Sequence, residues 1–235
     1  MQQLFIRLQP IFDLLFPQQC VICKRGGHVL CSQCLGTFQA LSPPYCPHCC
    51  TTLSPPAPCR NCQYRTLRLS MLRVSGHYEG SLRLCIHAFK YDGQKRLAEP
   101  LGKWLAQAYR EYGLQADLLI PVPLHKERER LRGYNQAALL GRQCAMILGV
   151  PLREDILIRY RATAVQAELR ARERQQNVAG AFICHPLFTT GALFGRTILM
   201  IDDVCTTGST LEASAAPLFA AGARNVCGLV LARPM

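Results

Sequence analysis

Short uninterrupted apolar runs, rather than alternating ones, mark the predicted strands of this 235-residue chain. Such runs lie within Asp117 to Val122 and at Ile198 to Ile201. They are typical of strands that are buried on both faces of a parallel sheet. Further strands are predicted at Met71 to Tyr78 and at Val226 to Leu231. The pattern therefore predicts an α/β fold with a mostly parallel sheet flanked by helices.

Apolar residues at helical spacing lie between the predicted strands. A helix is predicted from about Gln94 to Tyr112, with an expected break at Pro100 and a stop at Gly113. A shorter helix is expected to end before Tyr91, and another helix is expected to begin at about Ser209. These segments would supply the helices that cover the sheet.

Residues 1–19 carry a separate apolar stripe that breaks at Pro17. The stripe predicts an amphipathic helix that packs against the rest of the protein, with binding to a membrane surface as the alternative. Packing is favoured because Arg7 is the only basic residue in the stripe. The chain has no apolar run of about 18 residues that could span a membrane, and its N-terminus has no signal-peptide pattern, so we expect a cytoplasmic protein.

Fourteen cysteines would suggest disulfides in a secreted protein, but in a reducing compartment pairs at CxxC spacing are better explained as zinc thiolates. Residues 20–65 contain four such pairs, which are enough ligands for two closed, structural zinc sites. This segment is rich in proline and poor in large apolar residues, so zinc must supply much of its folding energy. The predicted zinc ligands are Cys20, Cys23, Cys31, Cys34, Cys46, Cys49, Cys59 and Cys62.

These eight cysteines can be paired in two ways. Sequential ribbons, with the first four cysteines on one zinc ion and the last four on another, are favoured by the loop lengths over a cross-brace. A degenerate, empty quartet is a further alternative, and His28, His48 and Cys50 are either bystanders or substitute ligands. Removal of zinc is expected to unfold residues 20–65 and to spare residues 66–235.

The chemistry of the chain is concentrated in Thr197 to Thr210, TILMIDDVCTTGST. Asp202 and Asp203 follow the apolar run, and we expect them to face solvent and to accept hydrogen bonds from two neighbouring ribose hydroxyls. Hydroxyl-bearing residues then surround Gly208, which permits a positive φ and a close backbone approach. A helix N-terminus behind this loop would point N–H groups at a bound 5-phosphate. A Walker A loop is excluded because its lysine is missing.

This pattern resembles the loop of the type I phosphoribosyltransferases that binds 5-phosphoribosyl-1-pyrophosphate (PRPP). An ordinary Asp-capped turn is the alternative, but it does not account for the whole fourteen-residue pattern. The residues predicted to bind PRPP are Asp202, Asp203, Cys205, Thr206, Thr207, Gly208, Ser209 and Thr210.

Positive charge is concentrated in residues 66–180, which carry nineteen Lys and Arg against eleven Asp and Glu, a net charge of +8. Together with the motifs, this charge favours a polyanionic partner, a phosphorylated sugar or nucleic acid, over a solvated basic face. One basic cluster follows an extended proline-rich loop at a predicted strand end, and the other lies in a polar segment that is either a lid or a plain connector. The candidate contacts to pyrophosphate or nucleic acid are Lys126, Arg128, Arg130, Arg132, Arg170, Arg172 and Arg174.

The order of motifs along the chain is similar to that of the ComF/GntX family. The CxxC module is followed by PVPL, RxRGYNQA, TxxQxxLxxxxR with a downstream NVxGAF, and IDDVxTTGST. The resemblance covers nearly the whole chain and implies a double zinc ribbon joined to a phosphoribosyltransferase-like domain. It also implies Mg²⁺ bridging the oxygens of bound PRPP, pyrophosphate near residues 123–132, and an association with the uptake or use of external DNA.

Three functions remain open from the sequence. The first is a transferase that displaces pyrophosphate from PRPP with an unidentified acceptor, in which electrostatic positioning matters more than a side-chain base. The second is a non-catalytic accessory protein of the DNA-uptake machinery that binds single-stranded DNA, uses the PRPP pocket as a sensor or groove, and stacks bases on aromatic residues such as Tyr134. A glutamine-dependent amidotransferase is disfavoured, because Met1 and Gln2 provide no N-terminal cysteine nucleophile.

Overall fold

A four-stranded parallel sheet lies at the centre of the protein in the computed structural model, which describes residues 18–53, 58–64, 67–162, 178–188 and 191–234. The strands of the described residues are β1 (Met71–His77), β2 (Leu118–Pro121), β3 (Leu157–Arg159), β4 (Phe182–Cys184), β5 (Thr197–Val204) and β6 (Asn225–Arg233). The sheet has the strand order β1, β6, β5, β2, and each neighbouring pair is parallel. Strands β3 and β4 form a separate antiparallel pair.

The part of the chain that the structure describes contains seven α-helices. They are α1 (Ser32–Leu35), α2 (Arg60–Tyr64), α3 (Gly80–Tyr91), α4 (Ala98–Glu111), α5 (Lys126–Arg132), α6 (Gln136–Leu148) and α7 (Ser209–Ala220). None of the described helices is both long enough and apolar enough to cross a membrane.

Both faces of the sheet are covered, which explains the uninterrupted apolar runs of its strands. Leu119, Leu199 and Leu229 belong to a core cluster with residues of α3, α4 and α6. The alternate strand residues, such as Ile120 and Met200, pack with α7 and with the β3–β4 pair on the other face. The α/β fold with a mostly parallel sheet, predicted from the sequence, is confirmed.

The predicted break in the helix at Pro100 is wrong. Helix α4 begins at Ala98 and follows a single 3₁₀ turn at Lys95–Leu97, so Pro100 lies in its first turn. A proline is tolerated there because the N–H groups of the first turn have no acceptor within the helix. The predicted stop at Gly113 is confirmed, since α4 ends at Glu111 and Gly113 has a φ of 60°.

The cysteine-rich segment packs directly against the edge of the sheet. The backbone of Leu41 donates to Ser75 O at 3.0 Å, and the N–H of His77 donates to Gln39 O at 3.0 Å, so residues 39–41 lie alongside β1. A Cβ at Gly76 would lie only 2.5 Å from both Gln39 O and a Trp104 side-chain atom, so this close approach requires glycine. The amphipathic helix predicted for residues 1–19 and the domain boundary predicted near residue 65 fall almost entirely outside the described residues.

Candidate functional site

Two groups of four cysteines each bring their sulfur atoms to within 4.8 Å of one another. One group is Cys20, Cys23, Cys31 and Cys34, and the other is Cys46, Cys49, Cys59 and Cys62. Zn–S bonds of about 2.3 Å in a tetrahedron would place the sulfur atoms about 3.8 Å apart. The distances from Cys23 to Cys31 (3.7 Å) and from Cys46 to Cys62 (3.7 Å) therefore suit zinc.

Sequential pairing of the ribbons is thus confirmed, and the cross-brace is wrong. His48 and Cys50 lie outside both groups: His48 Nε2 hydrogen-bonds to Leu67 O at 3.1 Å, and Cys50 is fully buried beside the Tyr112 hydroxyl. His28 is exposed and also lies outside both groups. These three residues are bystanders.

The acidic pair lies within the last residues of β5, where the backbone is still paired with β6. Asp203 is 7% exposed, and its Oδ1 is 2.6 Å from Lys90 Nζ in the last turn of α3. Asp202 is half-buried, and its Oδ1 accepts the backbone N–H of Asp203 at 2.8 Å. The expectation that both carboxylates face solvent is wrong, because Asp203 is buried in an ion pair.

Lys90 is absent from the residues that the motifs predict, yet the sequence carries a signal for it. It follows Leu82 and Ile86 at intervals of four residues, and both of these are fully buried in the core. A lysine on the apolar face of a helix needs a buried partner, because an unpaired buried charge is costly.

The protonation of this cluster is set by burial and by neighbouring charge. Burial raises the pKa of Asp202 to about 7, and the charge of Asp203 contributes to the rise. Burial by itself would lower the pKa of Lys90, but the charge and hydrogen bond of Asp203 together with the charge of Asp202 outweigh burial, and the net shift is upward. Lys90 therefore remains charged, whereas Asp202 changes its charge near neutral pH.

The loop between β5 and α7 has the geometry of an anion cradle. Gly208 adopts a φ of 82° immediately before Ser209, the first residue of α7, as the sequence predicts. Thr207 Oγ1 lies 2.8 Å from Ser209 Oγ. Cys205 is buried, and its N–H donates to Ala232 O at 3.0 Å. A small depression at this loop is lined by Asp202, Val204, Cys205, Thr206, Gly208, Ser209, Thr210 and Leu211.

A cleft of about 260 Å³ brings the acidic pair, part of the loop and the first basic cluster together. The cleft is lined by Asp202, Asp203, Thr206, Thr210, Arg128 and Arg132, and also by Lys90, Tyr91 and Arg159. Lys126 and Arg130 are exposed and are not among the lining residues. Residues four apart on a helix share one face. Helix α5 therefore directs Arg128 and Arg132 to the cleft, and Lys126 and Arg130 to solvent.

Arg159, at the end of β3, adds a third guanidinium to the cleft; the sequence placed it at the start of the second basic segment, residues 159–174, but not among the candidate contacts. It is 6% exposed, and its guanidinium lies 5.3 Å from the ring centre of Phe182. Burial, together with the charge of Arg128, lowers the pKa of Arg159 to about 10. Burial and the charge of Arg132 in turn lower the pKa of Arg128. The three cations therefore repel one another across a shared space that an anion would stabilise.

Two groups of predicted residues do not contribute to this arrangement. Arg170, Arg172 and Arg174 lie outside the described residues. Tyr134 is 7% exposed, and its hydroxyl donates to Phe89 O, so its ring is not available for stacking on a base. Tyr91 and Tyr78 both line the cleft, and Tyr91 is 63% exposed, so its ring can meet a ligand there.

Solved structures similar to this chain include two proteins with phosphoribosyl chemistry in their names. Glutamine PRPP amidotransferase from Bacillus subtilis shares 24% identity with a TM-score of 0.38, and the match covers 57% of this chain and 25% of that protein. The purine phosphoribosyltransferase of Pyrococcus horikoshii shares 21% identity with a TM-score of 0.35, and the match covers 57% of this chain and 70% of that one.

Sequence relatives cover nearly the whole chain. A family model described as a double zinc ribbon domain matches residues 11–63. Competence protein F of Haemophilus influenzae is 33% identical over 207 residues, covering 84% of this chain and 89% of that protein. DNA utilization protein YhgH of Salmonella typhimurium is 32% identical over 224 residues, covering 91% of this chain and 96% of that protein. With a double zinc ribbon and two four-cysteine groups in its N-terminal part, this chain belongs to the ComF/GntX family, which includes those two relatives.

Proposed function

We propose that the cleft binds PRPP. The observation that carries this proposal is the placement of three chemically distinct groups around one space of about 260 Å³: the acidic pair, the loop before α7 and three guanidiniums. The acidic pair would accept hydrogen bonds from the ribose hydroxyls. The loop and the N-terminus of α7 would hold the 5-phosphate. Arg128, Arg132 and Arg159 would face the pyrophosphate.

Mg²⁺ fits this site as an ion that enters with the ligand. Magnesium prefers oxygen ligands and is commonly held by one or two carboxylates together with phosphate oxygens of the substrate. Asp202 offers such an oxygen, whereas Asp203 is already neutralised by Lys90 at 2.6 Å. The pyrophosphate and ribose oxygens of PRPP would supply most of the remaining ligands, and the ion would neutralise charge on the leaving group.

If an acceptor enters the cleft, the arrangement suits phosphoribosyl transfer. A nucleophile would form a bond to C1 of the ribose while the bond from C1 to the pyrophosphate oxygen breaks, and the electron pair would leave with the pyrophosphate. The three guanidiniums would stabilise the charge that develops on this leaving group. The exposed ring of Tyr91 at the cleft would offer a flat surface to the acceptor.

A second function, binding of single-stranded DNA, is favoured by the outer face of α5. Lys126 and Arg130 are exposed there, while Arg128 and Arg132 line the cleft. One short helix would thus hold pyrophosphate on its inner face and nucleic-acid phosphates on its outer face. This division suits a cytoplasmic protein that links phosphoribosyl binding to DNA uptake or DNA use, in keeping with the names of the relatives.

Calorimetric titration of the zinc-loaded protein tests the two functions separately. PRPP with Mg²⁺ is expected to bind the unmodified protein, and Asp202→Ala/Asp203→Ala is expected to abolish this binding while the variant still binds a short single-stranded DNA. Unchanged PRPP affinity in the double variant would contradict the assignment of the cleft. Absence of DNA binding at low salt would remove the second function and leave the first.

A further inference from the structure

The last residue of β6 connects the loop before α7 to the second zinc ribbon. Arg233 Nε and one terminal nitrogen donate to Thr206 O at 3.3 and 3.2 Å. Its other terminal nitrogen donates to Cys49 O at 2.6 Å and to Thr51 Oγ1 at 3.2 Å. Arg233 is half-buried and does not line the cleft. One planar guanidinium therefore holds two separate pieces of backbone in a fixed relation.

The ribbon end of this connection is part of the metal centre. Cys49 belongs to the second cysteine group, and its Sγ lies 3.1 Å from the Thr51 hydroxyl that accepts from Arg233. The backbone around Cys49 takes its shape from the CxxC turn, which depends on zinc for its folding. Loss of metal would therefore release the acceptors of Arg233.

The loop end of the connection fixes a peptide of the cradle. In a trans peptide the C=O and the following N–H point in opposite directions. The hydrogen bonds from Arg233 to Thr206 O therefore turn the N–H of Thr207 away from the ribbon. Thr206 lines the cleft, so the position of this peptide affects the shape of the surface that a bound phosphate would meet.

A second contact between the ribbon and the loop is apolar. Leu67 is 2% exposed and packs in one cluster with Cys46 and Cys49. Its Cδ2 would lie 3.3 Å from a Cβ at Gly208, so the side chain supports the turn at that position. His48, between the two cysteines, holds the carbonyl of Leu67 at 3.1 Å.

The first zinc site has different neighbours. Cys20 and Cys34 belong to the core cluster of α3, together with Leu82 and Ile86. The loop residue Cys205 belongs to the cluster on the opposite face of the sheet. The two zinc sites therefore contact different parts of the domain, which makes the first site a control for the second.

We propose that Arg233 is a positioning residue through which the zinc-folded second ribbon sets the conformation of the phosphate-binding loop. The affinity for a 5-phosphate ligand then depends on the second zinc site and much less on the first. The ligand-binding part of this inference rests on the proposed function, whereas the effect on the loop itself does not.

Arg233→Ala and Arg73→Ala form a matched pair for the test. Arg73 also donates to the second ribbon, with its terminal nitrogen 2.8 Å from Pro47 O, and the same nitrogen donates to Leu72 O of β1 rather than to the loop. Arg233→Ala is expected to weaken binding of PRPP and of ribose 5-phosphate about 10-fold, as the loss of hydrogen bonds to a charged group predicts. Arg73→Ala is expected to keep both affinities within about twofold, and both variants should retain two zinc ions.

Hydrogen exchange of residues 204–211 in the ligand-free protein gives a readout that needs no ligand. Exchange is expected to rise at least about tenfold in Arg233→Ala and in Cys62→Ser. It should stay within about twofold in Arg73→Ala and in the first-site variant Cys23→Ser. If Arg233→Ala does not fold, Cys62→Ser and Arg233→Lys replace it in the test. A lysine at position 233 cannot bridge the acceptors on the loop and on the ribbon, so Arg233→Lys should give an intermediate rise in hydrogen exchange.

The outcomes separate the inference from the proposed function. Equal exchange of the loop in all four variants would overturn the inference, and so would a loss of protection in Cys23→Ser as large as in Cys62→Ser. Failure of the unmodified protein to bind either ligand would overturn the proposed function, while a selective loosening of the loop would still support the role of Arg233.

Discussion

Lys90 and Asp203 form a largely buried ion pair with a separation of 2.6 Å, and they join the last turn of α3 to the end of β5. Their side chains are only 17% and 10% exposed. The Lys90 ammonium neutralises Asp203, so Asp203 does not need a metal ion as its counter-charge. Asp202, the other carboxylate of the acidic pair, remains available to a ligand. The acidic pair is thus a three-residue unit rather than the two-residue motif visible in the sequence.

Breaking this pair on one side should destabilise the protein. Lys90→Met is expected to lower the free energy of unfolding by about 3 kcal/mol, because it leaves Asp203 buried without its counter-charge. The double variant Lys90→Met/Asp203→Leu should recover most of that loss. Urea unfolding at pH 7 of the zinc-loaded proteins measures both values, and a single variant as stable as the unmodified protein would contradict the buried pairing.

Asp202 should make stability and ligand binding depend on pH. Its pKa is about 7 in the folded protein against 3.8 as the ordinary value, so between these values the folded state binds more protons than the unfolded state. The contribution of Asp202 to stability is therefore present below about pH 4 and is lost as the pH rises to about 7. Asp202→Asn should remove this decline. The free energy of unfolding, measured from pH 5 to pH 8 in the unmodified protein and in Asp202→Asn, separates the contribution of Asp202 from that of other titrating groups.

Ribose binding should show the opposite trend, because the ionised carboxylate is the better acceptor for hydroxyl groups. The affinity for ribose 5-phosphate is expected to rise between pH 6 and pH 8 in the unmodified protein. The ligand phosphate also ionises in this pH range, and the same titrations with Asp202→Asn serve as the control for that ionisation. Parallel pH profiles in the two proteins would show that Asp202 does not face the ribose.

Metal analysis of protein purified without chelator should give two zinc ions per chain, since both cysteine groups have complete ligand sets. A ratio near one would show that a quartet is empty. Removal of zinc is expected to unfold the ribbons and to leave residues 197–203 of β5 protected from hydrogen exchange. Protection of β1 should fall, because its backbone is hydrogen-bonded to Gln39 and Leu41 of the ribbon segment.

The two faces of α5 should separate PRPP binding from DNA binding. Lys126→Gln/Arg130→Gln is expected to reduce the salt dependence of single-stranded DNA binding by about one to two units, given a slope of about 0.7 per phosphate contact. PRPP affinity should remain within about twofold. Arg128→Gln/Arg132→Gln is the matched variant on the inner face of α5 and should weaken PRPP binding about 100-fold. DNA binding of both double variants is measured in parallel. Equal effects of the two pairs on both ligands would contradict the division.

Local patterns in the sequence predict the features that depend on neighbouring residues. The apolar run of β5, the positive φ of Gly208 and the grouping of the cysteines all follow from residues close together in the chain. The partners of Asp203 and Thr206 cannot be predicted from neighbouring residues, because Lys90 and Arg233 reach them from other elements of the fold. The contribution of Arg159 to the cleft likewise depends on how the β3–β4 pair is placed, which no local pattern specifies.

Residues 39–41 lie along β1, which is an outer strand of the parallel sheet. An outer strand with free backbone groups is a template on which a second chain can add a strand, and proteins protect such edges to avoid aggregation. The zinc ribbon segment supplies this protection here. Growth under zinc limitation should therefore yield protein that self-associates through β1, so the metal would govern the solubility of the protein as well as the fold of a small module.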